Sequence, residues 1–291
     1  MNPAVILMAY GSPETADDIR PYLEDIREGR PVSDHAVEEL TERYRRIGGR
    51  SPLLEITEAQ RGALEAELGV PVYVGMKHWR PRIAEAVEQA VAAGTDALVG
   101  LVLAPHYSVL SIAGYRERLE TALAERAALL FVESWHDHGP FLDVLADRVR
   151  GTEAHVVFTA HSLPARIRAS DDPYEAQLLA SAAAIAERAA LPHWSFAFQS
   201  ASTTGEPWLG PDILDELESL HARYVQEVLA APVGFVSDHL EILWDLDVEA
   251  REKAAELGLR FSRIESLNDD PAFIAALGDL VRQTLSVRSK A

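Results

Sequence analysis

The chain reads as an α/β protein of two similar halves, each a parallel sheet flanked by helices. Three observations predict this. Short apolar runs without alternation recur along the chain, as parallel strands covered on both faces require. Amphipathic segments with recognisable ends separate them, and strand–helix alternation of this kind gives parallel sheets with right-handed crossovers. The two halves also repeat each other. Ile6-Leu7-Met8-Ala9-Tyr10-Gly11-Ser12-Pro13 is matched by Val157-Phe158-Thr159-Ala160-His161-Ser162-Leu163-Pro164. Ala104-Pro105 has its partner in Ala231-Pro232. Glu133-Ser134-Trp135-His136-Asp137, followed by Phe141, matches Glu265-Ser266-Leu267-Asn268-Asp269, followed by Phe273. Loop lengths differ while the order is kept.

Taken in order, strands are predicted over Val5–Met8, Val70–Gly75, Ala97–Leu103, Leu129–Glu133, His155–Thr159, Ser195–Gln199, Val225–Ala231 and Leu259–Ile264. Ser33 caps a helix over Asp34–Ile47 that stops at Gly48-Gly49. Thr57, with Gln60 three residues on, forms a capping box for a helix ending near Gly69. Pro81 falls in the first turn of a helix running to Gly94. No low-complexity linker interrupts the chain. The boundary is expected near Arg150-Gly151, giving halves 1–150 and 151–291, with the C-terminal helix packing across it.

Composition narrows the function. A chain of 291 residues, 48% hydrophobic, can bury a large core. The formal charge of −19 argues against nucleic acid, whose phosphates demand Lys and Arg surfaces. Zero cysteines exclude disulfides, thiolate metal sites and iron–sulfur clusters. The run Ala4–Ala9 is too short for a signal peptide, and no stretch approaches the roughly 20 apolar residues that span a bilayer. A soluble, cytoplasmic protein without membrane insertion is expected, and the lack of a long apolar surface stripe favours a monomer.

In an open parallel sheet the residue just past a strand's carboxyl end faces the ligand crevice. The repeat therefore places a phenol, Tyr10, and an imidazole, His161, on opposite walls of one cleft. No Gly-x-Gly-x-x-Gly follows any strand and no P-loop is present, so no nucleotide cofactor is expected. There is no Gly-x-Ser-x-Gly elbow either. Polar residues at strand ends remain: Tyr10, Lys77-His78, His106, His161 and Asp238-His239-Leu240-Glu241. Single histidines there are commonly structural; His161 is raised above the others by its repeat position.

Glu241, Asp245 and Glu249 are spaced i, i+4, i+8 and form a stripe of carboxylates on one helix face. Such a stripe is either a solvated acidic face or a row of hard oxygen ligands that hands a divalent cation inward. Glu241 lies deepest, beside Leu240, Ile242, Leu243 and Trp244. One His and one Glu make an incomplete resident metal site and suit a metal that binds transiently and leaves for the substrate's own ligands. A neutral imidazole near pH 7 is suited to accept a proton. Against the acidic background, Arg43-Tyr44-Arg45-Arg46 and Arg50, with Arg27 and Arg30 upstream, form a basic patch. It fits an anionic small molecule such as a carboxylate, or cations completing a helix dipole.

Residues 9–13 (Ala-Tyr-Gly-Ser-Pro), 48–53 (Gly-Gly-Arg-Ser-Pro-Leu), 75–79 (Gly-Met-Lys-His-Trp), 104–108 (Ala-Pro-His-Tyr-Ser), 160–164 (Ala-His-Ser-Leu-Pro), 172–174 (Asp-Pro-Tyr), 207–211 (Pro-Trp-Leu-Gly-Pro) and 232–241 (Pro-Val-Gly-Phe-Val-Ser-Asp-His-Leu-Glu) resemble the ferrochelatase family. The resemblance covers essentially the whole chain in order. It is greatest to the soluble bacterial branch that inserts iron into coproporphyrin III. It implies two Rossmann-like domains with parallel four-stranded sheets and the porphyrin cleft between them, a chelatase-like fold. It implies that His161 and Glu241 are the catalytic, iron-handling pair, that Tyr10 is an axial ligand of the product iron, and that Asp245 and Glu249 form an entry ladder. By the same resemblance Arg27, Arg43, Tyr44, Ser51 and Tyr115 contact the porphyrin and its propionates. Glu28 departs from the pattern, since the soluble relatives carry a second Arg there. Ferrous iron and coproporphyrin III are then the substrates, with no tightly bound cofactor. The alternatives are a protoporphyrin IX ferrochelatase giving protohaem and a non-catalytic tetrapyrrole or haem carrier on the same fold. The segment Arg27–Ile47, rich in Glu, Asp and Arg, cannot bury itself cheaply in lipid.

Overall fold

The computed structural model describes residues 2–202 and 205–288. Strands β1 (Pro3–Ala9), β2 (Val72–Met76), β3 (Ala97–Val102) and β4 (Ala128–Val132) form a four-stranded parallel sheet in the order β2-β1-β3-β4. Strands β5 (His155–His161), β6 (Trp194–Gln199), β7 (Glu227–Pro232) and β8 (Arg260–Arg263) form a second parallel sheet in the order β6-β5-β7-β8. All eight predicted strands are present, and the two sheets have one topology. Within it β1 and β5 hold the same central place, as the sequence repeat requires: Leu7 lies beside Val74 and Leu101, and Phe158 beside Phe196 and Ala231.

The helices are α1 (Ile19–Ile26), α2 (Asp34–Arg46), α3 (Leu53–Leu68), α4 (Ile83–Ala92), α5 (Ile112–Leu123), α6 (Gly139–Val149), α7 (Tyr174–Ala189), α8 (Ile213–Ala222), α9 (Arg251–Leu257) and α10 (Pro271–Arg288). A π-helix, Ile242–Ala250, runs directly into α9. No helix among the described residues is long and apolar enough to cross a membrane.

Each strand residue goes to one of two faces by parity. In β1, Val5, Leu7 and Ala9 join the large central core, while Ala4, Ile6 and Met8 pack under α4 and α5. In β5, Val156, Phe158 and Ala160 join the same central core, while Val157 packs under α8 and the π-helix. The central core therefore runs through both halves, filled by side chains of α3, α6, α7 and α10 between the sheets. The repeated phenylalanines meet there. Phe141 and Phe273 lie 4.8 Å and 6.2 Å, centroid to centroid, from Trp135, whose indole N–H donates to the Val102 carbonyl at 3.0 Å. Helix α10, from the end of the chain, packs on α3, α6, β3 and β4.

Ser33 does cap α2, its hydroxyl accepting from the Ala36 N–H. The Thr57/Gln60 capping box is not formed, because α3 begins a turn earlier, after Ser51-Pro52, with the Ser51 hydroxyl accepting from Leu53 N–H. Thr57 instead donates back to the Leu53 carbonyl, and Gln60 is fully buried. Pro81 precedes the helix rather than starting it. Arg82 is the cap, and its N–H is taken by the Glu85 carboxylate.

Candidate active site

The carboxyl ends of β1 and β5 open onto a cavity of about 930 Å³ between the two halves. That is near the upper end of the range for small-molecule sites, wide enough for a macrocycle. One wall is built around His161. After β7 the chain folds back over β5 so closely that a Cβ on Gly234 would come within 2.6 Å of the Ala160 Cβ. Only glycine permits that approach, and it delivers His239 and Glu241 to His161. The imidazole Nε2 of His161 lies 3.5 Å from Glu241 Oε1, and His239 Nε2 lies 3.7 Å from Glu241 Oε2. His161 Nδ1 donates to the Ser162 carbonyl, which leaves Nε2 as the atom facing Glu241. Phe235 and Trp208 stand 6.4 Å and 6.5 Å from the His161 ring.

Burial works against charge on His161, but the adjacent Glu241 carboxylate outweighs it and lifts the imidazole to about 9. Burial likewise opposes ionisation of Glu241, and His161 and His239 together hold it well below the usual carboxylate range. The ligand-free pair is thus an ion pair at neutral pH. Beside Glu241, His161 must lose a proton before it can bind a metal or accept one. Asp245 is buried one turn along the π-helix, and its carboxylate accepts from the Ser200 hydroxyl and, at 3.3 Å, from the Gln199 amide. Burial and the charge of Glu241 push Asp245 up to about 7. Glu249 is also raised, mainly by burial. The wider coil of a π-helix holds residues four apart closer to one line than 3.6 residues per turn would.

The opposite wall carries Tyr10, 42% exposed. The turn after it requires Gly11, at φ +98°, where a Cβ would sit 1.6 Å from the His78 carbonyl oxygen. Burial and the charge of Glu241 push the Tyr10 phenol well above its ordinary range, so it stays protonated. Its ring lies 4.8 Å from that of His78, and Asp25 accepts from both His78 Nδ1 and Arg82, each at 2.9 Å. Further along, Lys77 donates to the Ser111 carbonyl at 3.1 Å and lies 4.9 Å from the centre of the Tyr115 ring. Burial, with Arg118 nearby, lowers Lys77 to about 8. Neither Lys77 nor Arg118 forms an ion pair with any carboxylate among the described residues, although both line the cavity.

A model of the Ferrochelatase family matches residues 2–285. The chain belongs to the ferrochelatase family. It is 44% identical to the ferrochelatase of Herpetosiphon aurantiacus, over 96% of this chain and 97% of that one. It is 40% identical to the ferrochelatase of Deinococcus radiodurans, over 96% and 95%. It is also 40% identical to the coproporphyrin III ferrochelatase of Geobacillus thermodenitrificans, over 97% and 96%. Among solved structures, SirB from Bacillus subtilis with Fe3+ aligns at a TM-score of 0.64 with 13% identity, covering 98% of this chain and 96% of that one. CbiX, the terminal enzyme of siroheme biosynthesis in denitrifying bacteria, aligns at 0.54 with 14% identity, covering 97% and 99%. These two share the fold.

The cavity gathers most of the residues singled out in the sequence. Tyr10, Tyr44, Ser51, Tyr115, His161 and Glu241 all line the cavity. Arg27 and Arg43 do not: Arg27 is exposed, while Arg43 pairs with Glu39 at 2.7 Å and stacks 5.5 Å from the Trp244 ring centre. Asp245 and Glu249 lie behind Glu241 and outside the lining. Glu28 is on the lining. His106 also lies on the cavity wall, bonded to Ser181 at 2.9 Å, and burial drives it down to about 3, a neutral structural ring. Arg118 escaped the sequence reading. Its signal was helical spacing, since it follows Tyr115 by three residues and Gly114 by four on α5.

Proposed function

We propose that this member of the ferrochelatase family inserts ferrous iron into coproporphyrin III, giving iron coproporphyrin and two protons. The observation that carries the reading is the His161–Glu241 pair, 3.5 Å apart on one wall of a macrocycle-sized cavity with a protonated Tyr10 on the other. In this reading iron is a substrate. It meets one imidazole and one carboxylate, too few ligands to retain it, and the pyrrole nitrogens complete its set. Two proton acceptors are at hand. His161 becomes available once its proton is displaced, and Asp245, at about 7, is poised to exchange one beside Glu241. In this reading Tyr10 reaches the product iron from the opposite face, and Asp245 and Glu249 continue the acidic line away from the cavity.

Preference for the tetra-acid porphyrin is supported by Lys77 and Arg118, cavity cations without a carboxylate partner among the described residues of a chain of net charge −19. Each carboxylate met by such a cation at a partly exposed edge contributes roughly 0.2–1 kcal/mol. Coproporphyrin has two more carboxylates than protoporphyrin. The Geobacillus relative bearing the coproporphyrin III name supports the same direction. The test is anaerobic insertion of ferrous iron with coproporphyrin III and protoporphyrin IX offered in parallel, without detergent. Catalytic turnover favouring coproporphyrin III by at least about tenfold in kcat/KM, roughly 1.4 kcal/mol, is expected. Equal use of protoporphyrin IX would overturn the substrate assignment, and binding without turnover would make the protein a carrier.

A further inference from the structure

Three segments, β8, the stretch 266–268 and α3, hold the residues on either side of Glu241 without touching its carboxylate. Arg263, the last residue of β8, has only 12% of its side chain exposed. Its Nε and Nη2 donate to Asp247 Oδ1 and Oδ2 at 3.0 Å and 2.8 Å, a bidentate grip on the middle of the π-helix. The same Nη2 reaches Asp238 Oδ1 at 3.0 Å, on the loop just before Glu241. Asp238 is further held by the Ser266 hydroxyl at 2.6 Å and the Asn268 amide at 3.2 Å, while its own N–H donates to Asn268 Oδ1 at 2.8 Å. The Asn268 carbonyl accepts from Gln60 of α3 at 2.7 Å, and that same amide donates to the Ser237 hydroxyl at 3.0 Å.

Two consequences follow from this wiring. Asp238, although it stands in the Asp-His-Leu-Glu run, has both oxygens engaged away from the cavity and does not line it. The repeated stretch Glu265-Ser266-Leu267-Asn268 also gains a purpose, since two of its side chains grip that aspartate. Glu241 therefore sits between two anchored points, Asp238 before it and Asp247 after it, joined through one guanidinium. We infer that Arg263 is a positioning residue for metal handling: by bridging Asp238 to Asp247 it fixes the start of the π-helix so that the Glu241 carboxylate stands at His161. This rests on the reading above that Glu241 handles iron. Lys in place of Arg cannot reproduce the bidentate grip together with the third bond.

The test uses the full chain and anaerobic kinetics with ferrous iron and porphyrin varied separately. In Arg263→Gln, the KM for iron should rise about tenfold while the KM for porphyrin stays within about twofold, as loss of a group orienting a metal-binding side chain does. Arg263→Lys should recover part of the difference. Asp247→Asn should raise the iron KM less, and adding it to Arg263→Gln should change little more, because the two act through one bridge. Folded Arg263→Gln with wild-type iron dependence, or with both KM values moving together, would overturn the inference. If Arg263→Gln does not fold, Asp247→Asn carries the test alone, with an unchanged iron KM as the overturning result. Glu241→Gln separates the two levels. Unchanged iron dependence there overturns the site reading, whereas a shift there with none in Arg263→Gln overturns the positioning role only.

Discussion

Replacing Glu241 by Gln removes the charge that holds His161 protonated and leaves the side chain's shape. In the wild-type site the imidazole rises from an ordinary 6.5 to about 9, against the effect of burial. At about 1.36 kcal/mol per pH unit, that rise corresponds to a net preference of roughly 3 kcal/mol for the imidazolium after burial has been offset, trimmed by screening because about a third of the imidazole is open to solvent. With Glu241 neutral, burial acts unopposed by its main partner, and His161 should titrate near or below 6.5. The assay is a pH titration of the His161 ring nitrogens by NMR in the metal-free protein. The sign of the linked stability is fixed by the raised value. The pair stabilises the fold fully below pH 6.5, and that contribution is lost as pH rises through about 9. Wild type should therefore lose its stability advantage over the variant across that window in denaturant titrations. Metal binding must displace the same proton, so the apparent KM for zinc, a redox-inert stand-in, should fall as pH rises from 6 toward 9 in wild type and flatten in the variant. Titration of His161 near 6.5 in both proteins would refute the coupling.

Other variants report on separate parts of the site. His161→Ala should abolish insertion while leaving porphyrin affinity, measured by fluorescence, within about tenfold, because the imidazole acts on metal and protons; more than a tenth of wild-type turnover would remove it from the chemistry. Asp245→Asn with Glu249→Gln should raise the iron KM more than it lowers kcat, and an unchanged iron dependence would return the stripe to a purely structural role. Gly234→Ala forces a Cβ to within 2.6 Å of the Ala160 Cβ. It should cost about 1–3 kcal/mol of stability by chemical denaturation and lower insertion activity through displacement of Glu241.

The sheets were legible because parallel strands buried on both faces leave uninterrupted apolar runs, and all eight appeared within two or three residues of their expected ends. The two-fold repeat was legible for a related reason: β1 and β5 occupy the same central place and end at the same cleft, so Tyr10 and His161 fall into register. What escaped lies in contacts between distant segments. Gln60 looks like a cap three residues after Thr57, yet its amide crosses to Ser237 and Asn268 in the other half. The arginines of α2 look like one basic patch, but Arg43, Arg45 and Arg46 are each paired, with Glu39, Glu42 and Glu252. Only the first two of those partners lie within reach along the helix. The charge state of His161 was hidden for the same reason, since it depends on a carboxylate 80 positions away that the Gly234 approach delivers.

Anomalous diffraction from crystals of the porphyrin-free protein soaked anaerobically with ferrous iron would locate the metal directly. An iron peak bound by His161 Nε2 and a Glu241 oxygen, at about 2.0–2.2 Å from each, the range of divalent zinc to the same donors, is the expected result. Loss of that peak should follow from Glu241→Gln. Iron found reproducibly elsewhere in the cavity, with the His161–Glu241 pair intact and metal-free beside it, would contradict the assignment of this pair as the site from which iron enters the porphyrin.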